Sequence, residues 1–143
     1  MAISKASAHW DGPIKTGKGA MKPAHAPDIP FSLGTRFEGQ QGSNPEELVG
    51  AALAGCFSMA LSKGLEGAGA TPRSIRTAAE VKLDKDGDGF TITRIALTTE
   101  VVAAGIDDDK FQAVAAATKK ACPVSKALAG VHTIELTASL RPA

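Results

Sequence analysis

Two cysteines, Cys56 and Cys122, are the residues of this sequence with the widest chemical scope. Cys56 follows the small-residue run GAALAG in an apolar segment, where a thiol is ordinarily a small buried hydrophobe. Cys122, in ACPVS, stands just before Pro123, which suits the first position of a helix. Free N–H groups at a helix start lower a thiol pKa or stabilise an oxidised sulfur. The sequence therefore indicates that Cys122 can react, whereas the local context of Cys56 taken alone favours a packing role.

An acidic helix start precedes Cys56 in the stretch NPEELVGAALAGC. Asn44 is suited to cap this helix, Pro45 to its first position, and Glu47 to the return bond of a capping box with Asn44. Glu47 thus has a structural explanation. Glu46 is compatible either with the positive end of the helix or with a role in a site, and the residues alone favour neither.

Metal-binding patterns are weak. DKDGDG resembles the opening of a calcium loop, but the twelfth position from Asp84 is Ile95 rather than Glu, and strand-like segments flank it. It is therefore interpreted as a turn. His9, His25 and His132 have no metal-ligand spacing with each other or with the cysteines, so zinc would need ligands that only the fold brings together.

Hydrophobic periodicity places these residues on a short series of helices and strands. The first forty residues predict strands joined by tight turns. A long helix is predicted from Asn44 to Gly67 or Gly69, and a second one in GIDDDKFQAVAAATKKA, whose acidic start and basic end match the helix dipole. Pro123 opens a separate short helix.

Alternating residues predict the remaining strands. Ile75 to Leu83 alternates with period two, and DKDGDG turns it into FTITRIALTTEVV, whose apolar phase slips near Arg94 and Ile95. These two segments predict a hairpin, and Ile134 to Leu140 predicts a terminal strand. With no repeats or linkers, we expect an α+β fold in one domain spanning residues 1–143, with a core built mainly of Ala, Leu, Val and Ile.

Charge and hydropathy limit the kinds of partner and the location that we expect for the protein. The 143 residues carry a formal charge of +1, which provides no broad attraction to nucleic acid or an anionic membrane. The longest apolar run, Leu48 to Leu61, is shorter than the roughly 20 residues of a membrane span, so a buried helix is expected. MAISKASAHW lacks the apolar segment of a signal peptide, which predicts a cytoplasmic location.

The motifs together resemble the OsmC branch of the OsmC/Ohr family of peroxidases. TRFEGQQGSNPEELVGAALAGCFSMAL followed by ACPVS carries the resemblance, which extends nearly end to end from AHWDGPIKTGKG. It implies reduction of organic hydroperoxides, and less efficiently of hydrogen peroxide, without haem, metal or flavin. It further implies a peroxidatic Cys56, a resolving Cys122, and a charged network of Arg36 and Glu46 around the reactive sulfur.

The resemblance also implies an intertwined α+β homodimer of antiparallel sheets and two long helices, with sites at the interface. It implies a reductant that is a lipoyl-type dithiol or another small thiol. Glu46 and Cys56 are ten residues apart, or about 15 Å along one straight helix, too far for contact. Two helices crossing antiparallel near Ala51 would bring Glu46 of one chain to Cys56 of the other. Alternatively, GAALAG packs beneath a sheet of its own subunit.

Two other interpretations of the cysteine pair compete with a peroxidase. In one, a redox-sensing or lipid-binding module uses the same cysteine pair without rapid turnover. In the other, both cysteines are inert core residues. Phe31, Phe57 and Met59 are suited to receive an alkyl chain, and each is equally suited to a core.

Overall fold

The computed structural model describes residues 2–143. Ten elements follow one another within these described residues: β1 (Ala6–Asp11), β2 (Lys18–Pro23), β3 (Ile29–Phe31), α1 (Leu33–Phe37), α2 (Pro45–Gly67), β4 (Thr71–Asp86), β5 (Gly89–Ala104), α3 (Asp108–Ala121), α4 (Pro123–Ala127) and β6 (Thr133–Pro142). They confirm the predicted α+β class. The residues fall into two compact units, one ending at Glu47 and the other running from Leu48 to Ala143. The single domain stays a prediction.

The first unit is built on a three-stranded antiparallel sheet in the order β1-β2-β3. Its register sets Gly19 of β2 between Trp10 and Phe31, whose ring centroids are 5.5 Å apart. A Cβ at Gly19 would lie 2.8 Å from both rings. The missing side chain therefore lets the two aromatic rings close over β2.

Helix α1 follows this sheet and was not predicted. Ser32 caps it in both directions: its hydroxyl accepts from the Thr35 amide, and its own amide donates to the Thr35 hydroxyl. Threonine takes the place that Glu or Gln occupies in the usual capping box. The helix has five residues, too few for a hydrophobic period to be visible in the sequence.

Helix α2 begins and ends where its capping residues predicted. The Asn44 side chain accepts a hydrogen bond of 2.9 Å from the Glu47 amide, which forms one half of the predicted capping box. The Glu47 carboxylate is bound by the Ser43 hydroxyl at 2.8 Å. At the other end, the Ala70 amide returns to the Leu65 carbonyl at 2.9 Å, and Gly69 has a φ of +85°. This is the left-handed turn that glycine favours after a helix.

The second unit places α2 and α3 against a sheet in the order β4-β5-β6. Every second residue of β5 from Ile95 to Ala103 is buried, as period two requires. Its core includes the following fully buried side chains: Leu53, Phe57, Leu61, Leu65, Ile95, Leu97, Val101, Phe111 and Cys122. Two phenylalanines thus join the aliphatic core that composition predicted.

The predicted hairpin of β4 and β5 is present, and its turn, Gly87 and Asp88, lies within DKDGDG. The register between the two strands shifts at Lys82 and Leu83, whose partners are Arg94 and Ile92. Thr93 is the extra residue. This bulge coincides with the slip of apolar phase seen near Arg94 and Ile95, because one extra residue exchanges the two faces of a strand.

Strand β6 departs from the expectation of antiparallel sheets. Three of the four strand pairings between described residues are antiparallel, but β6 runs parallel to β5. The connection between these strands contains α3 and α4, and such a crossover returns the chain in the parallel direction. The alternating residues of β6 indicated a strand but carried no information about its direction.

One face of α2 is exposed among the described residues. Leu53, Phe57, Leu61 and Leu65 are fully buried, while Ala51, Ala52, Gly55 and Met59 are exposed, Met59 to 80%. By length and composition α2 would also span a membrane, a test that the core helix of a soluble protein passes too. The predicted buried helix is therefore buried on one side.

Candidate active site

The two cysteines come together in the second unit. Cys56 lies on α2, and Cys122 lies between α3 and α4, where it caps the short helix that Pro123 begins. Their Sγ atoms are 2.7 Å apart although 66 residues separate them in sequence, and both cysteines are free thiols. A disulfide requires about 2.05 Å, so a small approach of the two sulfurs would suffice to join them.

Burial differs between the two thiols. Cys122 is fully buried and belongs to the core, whereas Cys56 is half-buried. A groove of about 790 Å³ opens beside Cys56 between α2 and α3, with Met59, Ala60, Val114 and Ala117 among its lining residues. A molecule in this groove would reach Cys56 first.

The pKa directions of the pair are opposite. Burial and the neighbouring Cys122 thiol raise the pKa of Cys56, against a lowering by the Val124 amide. Burial would also raise the pKa of Cys122, but the Cys56 thiol, the Ser125 and Val124 amides and the nearby Ser125 hydroxyl lower it. In the isolated chain the negative charge is therefore favoured on Cys122 over Cys56, and a positive charge placed beside Cys56 would favour its thiolate.

A guanidinium–carboxylate pair lies in the first unit. Arg36 Nη2 and Nε donate to Glu46 Oε1 at 2.7 and 3.1 Å, and Nε also lies 3.2 Å from Oε2. Glu46 is 8% exposed, while the Arg36 side chain is 36% exposed. The buried carboxylate therefore fixes the direction of a guanidinium that still faces solvent.

Aromatic residues surround this guanidinium. The Arg36 Cζ atom stands 5.1 Å from the Phe37 ring centroid, and a pocket of about 270 Å³ beside it is lined by Trp10, Ile14, Phe31 and Leu33 together with Arg36 and Phe37. Sequence analysis considered Phe31 here but missed the pocket, because it depends on the pairing of β1, β2 and β3. Phe57 proves to be a core residue.

All four predicted site residues are thus found in pairs, Cys56 with Cys122 and Arg36 with Glu46. The described residues contain no group of three or more His, Cys, Asp or Glu that could hold a metal ion. Sequence analysis missed Ser125, whose signal was its position three residues after Cys122 in ACPVS.

Comparison with known proteins decides the family. The model for OsmC-like proteins matches residues 38–137. The chain belongs to the OsmC/Ohr family. It is 50% identical over 133 residues to peroxiredoxin OsmC of Escherichia coli strain K12, covering 92% of this chain and 93% of that one. Organic hydroperoxide resistance protein OhrB of Bacillus subtilis strain 168 is 33% identical over 105 residues, which cover 69% and 71% of the two chains.

Solved structures of the OsmC/Ohr family share the fold. The crystal structure of OhrB from Bacillus subtilis superposes with a TM-score of 0.66 at 27% identity, covering 96% of this chain and 98% of that one. An OsmC-like protein from Mycoplasma pneumoniae gives a TM-score of 0.76 at 15% identity and 97% coverage of both chains. Membership of this family carries a peroxidase-type function with it.

Proposed function

We propose that the protein is a cysteine-based, thiol-dependent peroxidase that reduces organic hydroperoxides, and hydrogen peroxide less efficiently. The observation that carries this proposal is the 2.7 Å approach of the Cys56 and Cys122 sulfurs. A peroxidase that works through a sulfenic acid needs a second thiol within immediate reach, because further peroxide otherwise takes the first sulfur to the irreversible sulfinic acid.

Cys56 is the peroxidatic residue in this proposal. Its thiolate attacks the O–O bond of the hydroperoxide, so that an S–O bond forms, the O–O bond breaks, and the alcohol leaves with a proton from solvent. The half-buried position of Cys56 beside an open, largely apolar groove supports this assignment. Cys122 is enclosed in the core and is less suited to meet a substrate.

Cys122 is the resolving residue. Its thiolate attacks the sulfenic sulfur of Cys56, an S–S bond forms, and hydroxide leaves and is protonated to water. A dithiol then reduces the disulfide by exchange and becomes a cyclic or linear disulfide itself. A lipoyl-type dithiol is the reductant that we propose. Its exchange requires a protein kept among reduced thiols, as in the cytoplasm.

The Arg36 guanidinium, oriented by Glu46, supplies the positive charge that favours the Cys56 thiolate, and we propose that it does so across a homodimer. Helix α2 runs unbroken through both positions, so Glu46 and Cys56 of one chain are about 15 Å apart along its axis. The exposed face of α2, formed by Ala51, Ala52, Gly55 and Met59, is apolar and small enough for another helix to approach closely.

A twofold axis near Ala51 would superimpose this face on its copy and bring each Arg36–Glu46 pair to the partner subunit's thiol. The alternative in which GAALAG packs beneath a sheet of its own subunit applies to its first residue, because Gly50 faces β4. A Cβ at Gly50 would lie 3.1 Å from Val81 and 3.5 Å from Ala79. Small residues of this run therefore serve two different faces of α2.

Steady-state peroxide consumption tests the proposal. The protein is supplied with an alkyl hydroperoxide, an aryl hydroperoxide or hydrogen peroxide, each with dihydrolipoamide or with a monothiol. Many turnovers with the organic peroxides and dithiol are expected. Consumption of a single equivalent per subunit would instead identify a redox sensor and contradict the enzymatic proposal.

A further inference from the structure

The buried hydroxyl of Ser125 has no structural explanation in the fold. Within residues 2–143, Ser125 Oγ is a buried side-chain oxygen that forms no hydrogen bond, although the residue is only 8% exposed. Buried polar atoms are nearly always paired, because an unpaired one loses its bonds to water without replacement. An unpaired buried hydroxyl can accept or donate a bond to a group that changes its charge in another state of the site.

Position and chemistry identify the partner. Ser125 stands third in α4, whose first turn is capped by Cys122, and its hydroxyl lies close enough to the Cys122 sulfur to lower the pKa of that thiol. A thiol sulfur is a weak acceptor, which explains why no regular hydrogen bond is formed in the resting state. A thiolate is a charged acceptor, and hydrogen bonds to charged groups are about twice as strong as neutral ones.

We propose that Ser125 is a positioning residue of the resolving step, whose hydroxyl donates to the Cys122 thiolate while it attacks the Cys56 sulfenic acid. The inference rests on the proposed function. The hydroxyl retains its proton throughout. Cys122 supplies the electron pair of the new S–S bond, the S–O bond of Cys56 breaks, and the departing hydroxide takes a proton from solvent.

This arrangement separates the two chemical steps. Because Ser125 acts on Cys122, it favours the thiolate that resolves the sulfenic acid and adds nothing to the thiolate that attacks peroxide. Removing the hydroxyl should therefore slow disulfide formation by about tenfold, which is the effect expected from losing one hydrogen bond to a charged group. The first oxidation of Cys56 should be unchanged or faster. The balance would shift from disulfide toward over-oxidised Cys56.

The first experiment titrates Cys122 without any peroxide. In a Cys56→Ser background, thiolate absorbance in the ultraviolet is followed against pH for the parent, Ser125→Ala, Ser125→Thr and a control. The control is Ser139→Ala, at a serine of β6 whose hydroxyl donates to the Thr99 carbonyl. We expect Ser125→Ala to move the Cys122 midpoint upward, and Ser125→Thr, which keeps the donor, and Ser139→Ala to leave it in place. An unchanged midpoint in Ser125→Ala overturns the proposal.

The second experiment follows the products with Cys56 present. One equivalent of an organic hydroperoxide, or in parallel samples a rising excess of it, is added without reductant. Samples are quenched with acid and an alkylating reagent, and mass spectrometry counts disulfide and sulfinic forms. Ser125→Ala should form the disulfide about tenfold more slowly and accumulate sulfinic Cys56 at lower peroxide excess. Equal rates in the parent and Ser125→Ala overturn the resolving role.

Thermal unfolding separates chemistry from packing. Loss of an unpaired buried hydroxyl should leave stability unchanged or slightly raised, whereas a packing role predicts a loss. If the parent itself consumes no peroxide, the proposed function fails, and the Cys122 titration still decides whether Ser125 tunes that thiol.

Discussion

Arg36 donates hydrogen bonds to Glu46 through two nitrogens, Nε and Nη2, and the shortest bond, from Nη2 to Oε1, is 2.7 Å. The carboxylate is buried, and the guanidinium side chain is about a third exposed. Glu46 therefore anchors the pair and Arg36 presents its charge outward. This is the arrangement required if the guanidinium acts on a group that its own chain does not supply.

The first prediction concerns this charge. Arg36→Ala should slow the reaction of Cys56 with peroxide by about ten- to a hundredfold, the weight of one lost charged hydrogen bond. It should also move the pH midpoint of Cys56 alkylation upward, because burial and Cys122 then raise its pKa unopposed by the guanidinium. Stopped-flow oxidation and the pH profile of alkylation measure the two effects.

Arg94→Ala is the matched control, since Arg94 pairs with Glu135 on the exposed side of the second sheet. It should leave both measurements unchanged. Arg36→Lys keeps the positive charge but loses the paired hydrogen bonds to Glu46, so we expect an intermediate rate of Cys56 oxidation. An alkylation profile that Arg36→Ala leaves unaltered would remove Arg36 from the site.

The second prediction assigns the two sulfurs. Cys56→Ser should abolish turnover with the fold intact, because the nucleophile is lost and the size is kept. Cys122→Ser should still permit one fast oxidation, after which Cys56 proceeds to sulfinic acid unless an external thiol intervenes. Mass spectrometry after limited peroxide should detect a Cys56–Cys122 disulfide in the parent alone. Turnover that persists in Cys56→Ser would reject the nucleophile.

The third prediction tests the shared site. Cys56→Ser subunits are unfolded and refolded with Glu46→Ala subunits, and random pairing should make about half of the dimers mixed. Each mixed dimer then holds one complete site if Glu46 serves the partner subunit, so activity should return to about a quarter of the parent's. Glu46→Ala alone must be impaired. Mixed dimers verified by mass spectrometry but without activity would contradict the shared site.

The fourth prediction concerns the exposed face of α2. Ala51→Glu places two carboxylates opposite each other near the proposed twofold axis, so we expect dissociation to monomers together with loss of peroxidase activity. Ala113→Glu, an equal change at an exposed alanine of α3, should affect neither property. Sedimentation velocity gives the oligomeric state. A dimer unchanged by Ala51→Glu would place the interface elsewhere.

Sequence alone determined the elements with local signals. Asn44 and Pro45 begin α2, Gly69 turns the chain after it, and Pro123 separates α4 from α3. Each of these residues acts on the backbone within one turn of its own position, so its effect does not depend on the rest of the fold. Motifs at Arg36, Glu46, Cys56 and Cys122 also sufficed to indicate the family.

Only the tertiary structure decided how those residues meet. The approach of Cys56 to Cys122 depends on α2 packing beside the junction of α3 and α4, and the parallel pairing of β6 depends on the crossover before it. Burial raises the pKa of both thiols, and the pKa of Cys122 is nevertheless lowered because Cys56 and the Ser125 and Val124 groups surround it. Such contacts join positions far apart in the chain, where periodicity and capping residues carry no information.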